Sequence, residues 1–588
     1  MHATLKSPRN ASLYVLLASM LMVAMLGTAC GSSATTPSTK ATKAPASKQV
    51  LIWPIEGISD IATLDPALNE DVYSGQAIGM VFNGLVLYND KAQITPDLAQ
   101  SYSLSSDGLT WTFHLRPGLK FSDGTQLSSD DVVYSIDRAL QPATKSGFAA
   151  SELAPIKDVP LLESGKIKTL IGDSLLAPDP QTVEIVTSQK AAYLLSSLTS
   201  TVANVLEKSF VQKYGSSKFT SHLVGAQGGG AGPWTISAYS PGKDIEFVPN
   251  PNFYGAKPQL AKVIFPFYKV ADTGYKAYQA DQIDETAVPT ADLSQAKALP
   301  NGQFRQSPSL SVEWFTMNYL VKPFDNIKIR QAFALALDKN QIAQFIWKGT
   351  VIPTNHIVPQ GNVAYNPNLT GPDGVKGTAG NATLAKQLFN EGLQEEGLTR
   401  ATLPPIVFLV SSGGAEDLSN TYTTAQQMWN TTLGISVKIS DVDFNKLVTD
   451  ITGTIGNSNV MALSVGWSGT PDPHDWTTMQ FGKGAGVNLS NYGQNHSQDA
   501  TQQQQTQQLM VQADAEVANP TLRIQEDQQA EQQLVNDVAW LPIYQQTIVY
   551  AVKPCVVGWP SNPFGGVLEP DWPNVYISTA TPCASQSS

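Results

Sequence analysis

The chain reads as an α/β protein of more than one lobe, and three observations carry that reading. Its 588 residues exceed the size at which a single hydrophobic core keeps growing. Short β-like runs at Pro404 to Val410, Ile435 to Ile439 and Met461 to Gly466 alternate with helical segments, the pattern of an α/β layer. Between Ser103 and Lys120, apolar and polar residues alternate on either side of an Asp-Gly turn, as a hairpin requires.

Lys6 and Arg9 supply positive charge ahead of an almost wholly apolar run from Leu13 to Leu26, and Gly27, Thr28 and Ala29 lead into Cys30. This is the layout of a lipoprotein signal peptide over residues 1–29, with Cys30 as the expected lipid anchor. An uncleaved membrane anchor is the alternative, against which the run is short of the ~20 residues that span a bilayer. Leu26 stands four residues before the cysteine rather than the usual three. Residues 30–49 are small, polar and Pro-containing, so a flexible linker is expected.

The segment from Gln49 to Pro66 starts as a buried strand and breaks at Gly57 and Pro66, and a helix and the run Val81 to Tyr88 come next. Leu127 to Leu140, LSSDDVVYSIDRAL, is a helix start. Ser128 or Ser129 can cap it, Asp130 and Asp131 suit its positive end, and Val132, Val133, Ile136, Ala139 and Leu140 share one face. Ala191 to Tyr214 is expected to be helical, and Pro233 to Pro249 pairs through a Pro-Gly turn. Asn250 to Tyr268 holds a turn and a strand, and a helix ends near KAYQADQID. After a strand at Val312 to Asn318, Pro323 to Gly349 contains two helices separated by a cap at Asp338. The Gln-rich stretch at Gln502 to Gln508 continues into a helical pattern ending near Asp537 and reads as a solvated helix face.

A net charge of −12 with 15% charged residues argues against nucleic-acid binding, which needs a basic stripe. GGGAG at Gly228 to Gly232 lacks the Lys-Ser or Lys-Thr of a phosphate loop, the histidines are scattered, and Ser411-Ser412-Gly413 is no nucleophile elbow. No catalytic constellation, cofactor or metal is therefore expected. Cys555 and Cys583 lie close together near the C-terminus and are expected to form a disulfide in an oxidising compartment, two unpaired thiols being the alternative.

TLDPAL at Thr63, FNGLVLY at Phe82, the hairpin and helix above, NPNFYGAKP, KPFDNIKIRQAFALALDKNQI and GWSGTPDPHDW at Gly466 occur in one order along the chain. Jointly they resemble the family 5 extracellular solute-binding proteins, the oligopeptide, dipeptide and nickel receptors of ABC importers. The resemblance implies a two-lobed periplasmic-binding-protein clamshell of the large, peptide-binding type. Lobe I would comprise residues 50–89, 221–317 and 536–588, an inserted subdomain 90–220, and lobe II 318–535. Gly232, Pro233 and Trp234 would shape a crossing between lobes. Ligand would close the hinge through contacts with both lobes.

The implied function is a monomeric, exported receptor, lipid-anchored on the outer face of the cytoplasmic membrane, that delivers peptides to an ABC importer permease. A receptor for an oligosaccharide or other non-peptide solute is the alternative. The ligand-facing segments of the family map onto Trp53, Glu56, Trp314, Asn318, Trp467 and Asp472. In peptide-binding members, W-x-x-D-Y-x-D-P supplies an aspartate for the peptide amine. Here Trp467 to Pro473 reads WSGTPDP, with Gly469 and Thr470 where that aspartate falls, so Asp472 or Glu56 would have to substitute.

Overall fold

The computed structural model describes residues 42–225 and 228–584. The signal peptide, Cys30 and the linker up to residue 41 lie outside the described residues. From residue 42 the expected linker is corrected: the Ala44 amide donates to the Ile577 carbonyl at 2.9 Å, and the buried Gln49 side chain donates to the carbonyls of Ala44 and Ile577. Backbone pairing and the Gln49 amide order a stretch that carries no apolar period to predict it.

Lobe I is built on a sheet in the order Val50–Ile52, Lys262–Tyr268, Asp244–Pro249 and Trp234–Ser240. The first pair is parallel and the others antiparallel. Its core joins Leu51, Ile55, Ile78 and Val81 to Phe210, Trp234, Phe247 and Phe265 and to Trp572, Val575 and Ile577. Both ends of the chain and a middle stretch thus share one core. Cys555 and Cys583, both buried, are joined in a disulfide with Cα atoms 5.6 Å apart.

The insert is a four-stranded antiparallel sheet in the order Ala99–Leu104, Thr110–Leu115, Thr182–Val186, Leu175–Asp179. The amphipathic helix Ser129–Leu140 packs Val132, Val133, Ile136 and Leu140 into its core. Asp131 Oδ2 accepts from the Ser128 amide at 2.9 Å, which fixes the helix start. At its other end Arg138 donates to both carboxylate oxygens of Asp65, at 3.0 and 2.5 Å, and both side chains are buried. A bidentate ion pair therefore ties the insert to lobe I through two of the sequence motifs.

Lobe II is a mixed sheet in which Phe304–Met317 lies between Leu541–Val552 and Ala462–Ser468, followed by Ile406–Val410 and Val437–Asp441. One face packs Phe315, Phe333, Phe408 and Trp429 beneath the helices Ile327–Leu335 and Glu416–Leu433. The other packs Trp314, Trp476, Trp540 and Leu534 beneath Ala500–Ala515 and Pro520–Asp537.

The expected boundaries shift. Leu85 and Val86 already belong to the insert core, whereas Phe210, Val211 and Phe219 pack in lobe I. Val312 to Met317 and Val538 to Tyr544 contribute to the lobe II cores, ahead of residue 318 and beyond 535. The reason is that the strands 304–317 and 541–552 run on through both units, their register shifting between Pro308 and Val312, with one half of each packing in lobe II and the other half outside it. Ala191 to Tyr214 is not one helix but two short ones, Leu194–Ser197 and Lys208–Tyr214. Between them the Val205 amide leaves the helical pattern to reach the Asn83 carbonyl at 2.8 Å. Ala231 packs in the insert and Trp234 in lobe I, so the Gly-Pro-Trp turn passes between these two units.

Candidate functional site

The strand Ala462–Ser468 creates the site. On one side it pairs with 304–317 along its whole length, from Met317↔Ala462 to Ser311↔Ser468. On the other side Ile406–Val410 pairs with it only at Ala462 and Leu463 and ends one residue later. Beyond Leu463 that backbone edge has no strand partner among the described residues, and Gly466 and Ser468 are exposed. An open edge of this kind offers main-chain donors and acceptors to an extended chain, whatever its side chains.

The loop after this strand meets the insert. Tyr88 and Ser196 of the insert are hydrogen-bonded through their hydroxyls at 2.6 Å, and Ser196 reaches the Thr470 hydroxyl at 3.2 Å. The Tyr193 ring stacks on His474 at 3.6 Å, and the Ala192 amide donates to the Asp514 carbonyl at 2.7 Å. Near the crossing strands, a groove of about 280 Å³ is lined by Lys91 of the insert, Pro308, Gly361 of lobe II and Asn562 of the C-terminal segment. Every unit of the fold therefore contributes to this junction.

Of the sequence-predicted residues, several serve packing instead. Trp53 is 6% exposed and sits edge-on to Phe265 and Trp559, with centroids 5.2 and 5.0 Å away. Trp314 is 2% exposed and stacks on Trp540 at 4.1 Å, in the lobe II core. Asn318 is buried, donates to the carbonyls of Asn457 and Val460, and accepts from Asn491. All three are corrected from ligand contacts to structural groups. A large side chain at a crossing strand buries area most readily by packing inward.

Glu56 accepts from the Thr286 hydroxyl and the Ala287 amide, both at 2.8 Å, and burial pushes its carboxyl up. Trp467 is half-buried on the sheet beside the open edge. Asp472 is 5% exposed and receives both nitrogens of the Arg523 fork, at 2.9 and 2.6 Å. Burial pushes Asp472 up, but the Arg523 guanidinium outweighs it and holds the carboxyl below its usual value. With its charge already matched and its second role a cap on the His474 amide, Asp472 is not a substitute amine anchor.

Sequence reading missed Arg523, Glu313, Tyr193 and His474. One signal was available: Arg523 is the last arginine of the chain, inside a polar, Gln-rich helical stretch. It faces more carboxylates than Asp472 alone. Burial pushes Asp527, 3.8 Å from Arg523 Nε, up to about 8. His474 Nδ1 lies 2.9 Å from Asp514; burial lowers the imidazole, but Asp514 outweighs it and raises it overall. Glu152 of the insert is pushed up to about 7 by burial and by Asp475. Among the described residues, Asp284, Cys555 and Cys583 alone have metal-donor spacing, and the two cysteines are joined to each other.

A family model described as bacterial extracellular solute-binding proteins, family 5 Middle, matches residues 93–488. The chain is 24% identical over 538 residues to the oligopeptide-binding protein OppA of Bacillus subtilis, covering 90% of this chain and 93% of that one. It is 26% identical over 522 residues to the periplasmic murein peptide-binding protein MppA of Escherichia coli, covering 88% and 91%. Among solved structures, the unliganded open form of MppA matches with a TM-score of 0.76 at 23% identity, over 92% of this chain and 99% of that chain. Haemophilus influenzae OppA in complex with RPPGFSPFR matches with a TM-score of 0.66 at 20% identity, over 90% and 99%. The shared fold is the two-lobed one.

Proposed function

Because the chain belongs to the bacterial extracellular solute-binding proteins of family 5, we propose that it captures peptides between its lobes and delivers them to the permease of an ABC importer. The observation that carries this reading is the unpartnered strand edge from Val465 to Ser468, beside the crossing strands and the insert. A peptide lying along it would gain main-chain hydrogen bonds independent of its sequence, as a receptor for many peptides needs. Relatives named for binding oligopeptides and murein peptides support the same class. They do not favour the oligosaccharide alternative. The reading is of a receptor, not an enzyme.

Lys6 to Cys30 supports export and lipid attachment at Cys30, which would hold the protein at the outer face of the cytoplasmic membrane, near its permease. Among the described residues no helix is long and apolar enough to cross a membrane. A monomer suffices for two-lobe capture.

Native mass spectrometry of the soluble form from Gly31, followed by release and sequencing of what is bound, tests the reading. A ladder of peptide masses is the expected result. A single non-peptide mass that rebinds after removal would refute peptide capture.

A further inference from the structure

Glu313 lies in the middle of the 304–317 strand, directly opposite Gly466 on the open-edged strand. Its side chain is more than nine-tenths buried, with the residue 6% exposed. One oxygen, Oε1, accepts from the Tyr422 and Ser464 hydroxyls at 3.2 Å each. The other lies under Gly466, where an added Cβ would stand 2.9 Å from it. Around the carboxyl are Tyr422 of the helix 416–433, Ser464 of the neighbouring strand and Tyr544 of the strand 541–552, with Asp417 and Asp441 further out. None of these is a cation. Asp472 is the contrast, since it has Arg523.

Gly466 is not one of the glycines in the left-handed region, so its backbone does not call for glycine. A side chain there would cover Glu313. A bare, exposed strand position over a buried carboxyl that lacks a cation is the arrangement that a ligand cation completes, because a buried charge is stable only when paired.

We propose that Glu313 and the bare strand at Gly466 form a subsite for the side-chain ammonium of a lysine-like residue of the bound peptide, which enters over Gly466 and pairs with Glu313 Oε2. This rests on the peptide reading above and adds a preference for cationic ligands. Burial pushes the empty carboxyl up to about 7, the two hydroxyls opposing it. An arriving ammonium stabilises the ionised form, so the fraction of Glu313 still protonated releases its proton to the buffer on binding.

The test is titration calorimetry with tetra-alanine, its four single-lysine derivatives and the matching norleucine derivatives, in two buffers of different ionisation enthalpy. At one position at least, lysine should bind about 10-fold or more tighter than norleucine, with proton release. Glu313→Gln keeps both hydroxyl partners and should erase that difference between lysine and norleucine. Gly466→Ala, which retains Glu313 but sets a methyl group against its free oxygen, should weaken the same lysine peptide selectively. Equal lysine and norleucine affinities, or a preference that survives Glu313→Gln, would overturn the subsite and leave peptide capture standing. Failure of every peptide to bind would overturn both.

Discussion

Arg523 is the cation on which the lobe II side of the junction depends, and replacing it with methionine isolates that charge. Methionine keeps an unbranched apolar stem, so the change removes the guanidinium and little packing. Asp472 would then be an ionised carboxylate, 5% exposed, with only the His474 imidazole as a cationic neighbour, and Asp527 and Asp514 would lose the same guanidinium. Removing one partner of a buried pair costs about 3–5 kcal/mol. Asp472→Asn is the informative comparison. Arg523 then keeps Asp527 at 3.8 Å, whose carboxyl sits near 8 partly because Asp472 is ionised beside it. With Asp472 neutral, Asp527 ionises more readily and takes over the pairing, so this variant should lose only about 1.5–3 kcal/mol, the worth of charged hydrogen bonds.

Urea unfolding at pH 7, monitored by tryptophan fluorescence, measures both variants. Repeating Arg523→Met at pH 5 should recover part of the loss, because Asp472, no longer held down by the guanidinium, takes up a proton more readily there. An Arg523→Met loss no larger than that of Asp472→Asn, or one that deepens at pH 5, would refute the assignment of Arg523 as the shared counter-ion.

Two further outcomes are expected. Reducing Cys555–Cys583, which closes a separation of 28 residues, should destabilise lobe I by about 3–4 kcal/mol; an unchanged melting temperature with reductant would contradict this. Global stability should fall as pH rises from 5 to 7. Burial raises Glu152 and Glu313 to about 7 and Asp284 and Asp537 to about 6. A raised folded pKa contributes stability that is complete below the unfolded value near 4 and lost as pH climbs through the folded value. His474, also raised, acts in the same direction, and Lys339, lowered to about 7 by burial, opposes the trend as one group against several, from about pH 6 upward. A melting temperature that climbs steadily across pH 5–7 would contradict the assignment.

By itself the sequence determined the features that local period and local chemistry dictate. The capped helix at 129–140, the hairpin about Asp107-Gly108 and the alternation of strands and helices in lobe II all reflect burial repeating every 2 or 3.6 residues. The order of motifs was equally legible, and with it the family and the two-lobed fold. Only the tertiary structure decided what each conspicuous residue does. Trp53 and Trp314 were visible as aromatics near the expected cleft, but whether an aromatic faces a ligand or a core depends on what the fold lays against it, here Trp559 and Trp540. Asp472 was visible as a carboxylate, yet its partner stands 51 residues away on another helix, as Asp65 stands 73 from Arg138. Glu313 had no local signature at all, because its exposure is set by the missing side chain of Gly466, 153 positions later and brought opposite it by strand pairing. Charge compensation and access are properties of neighbours in space, and no period in the chain encodes them.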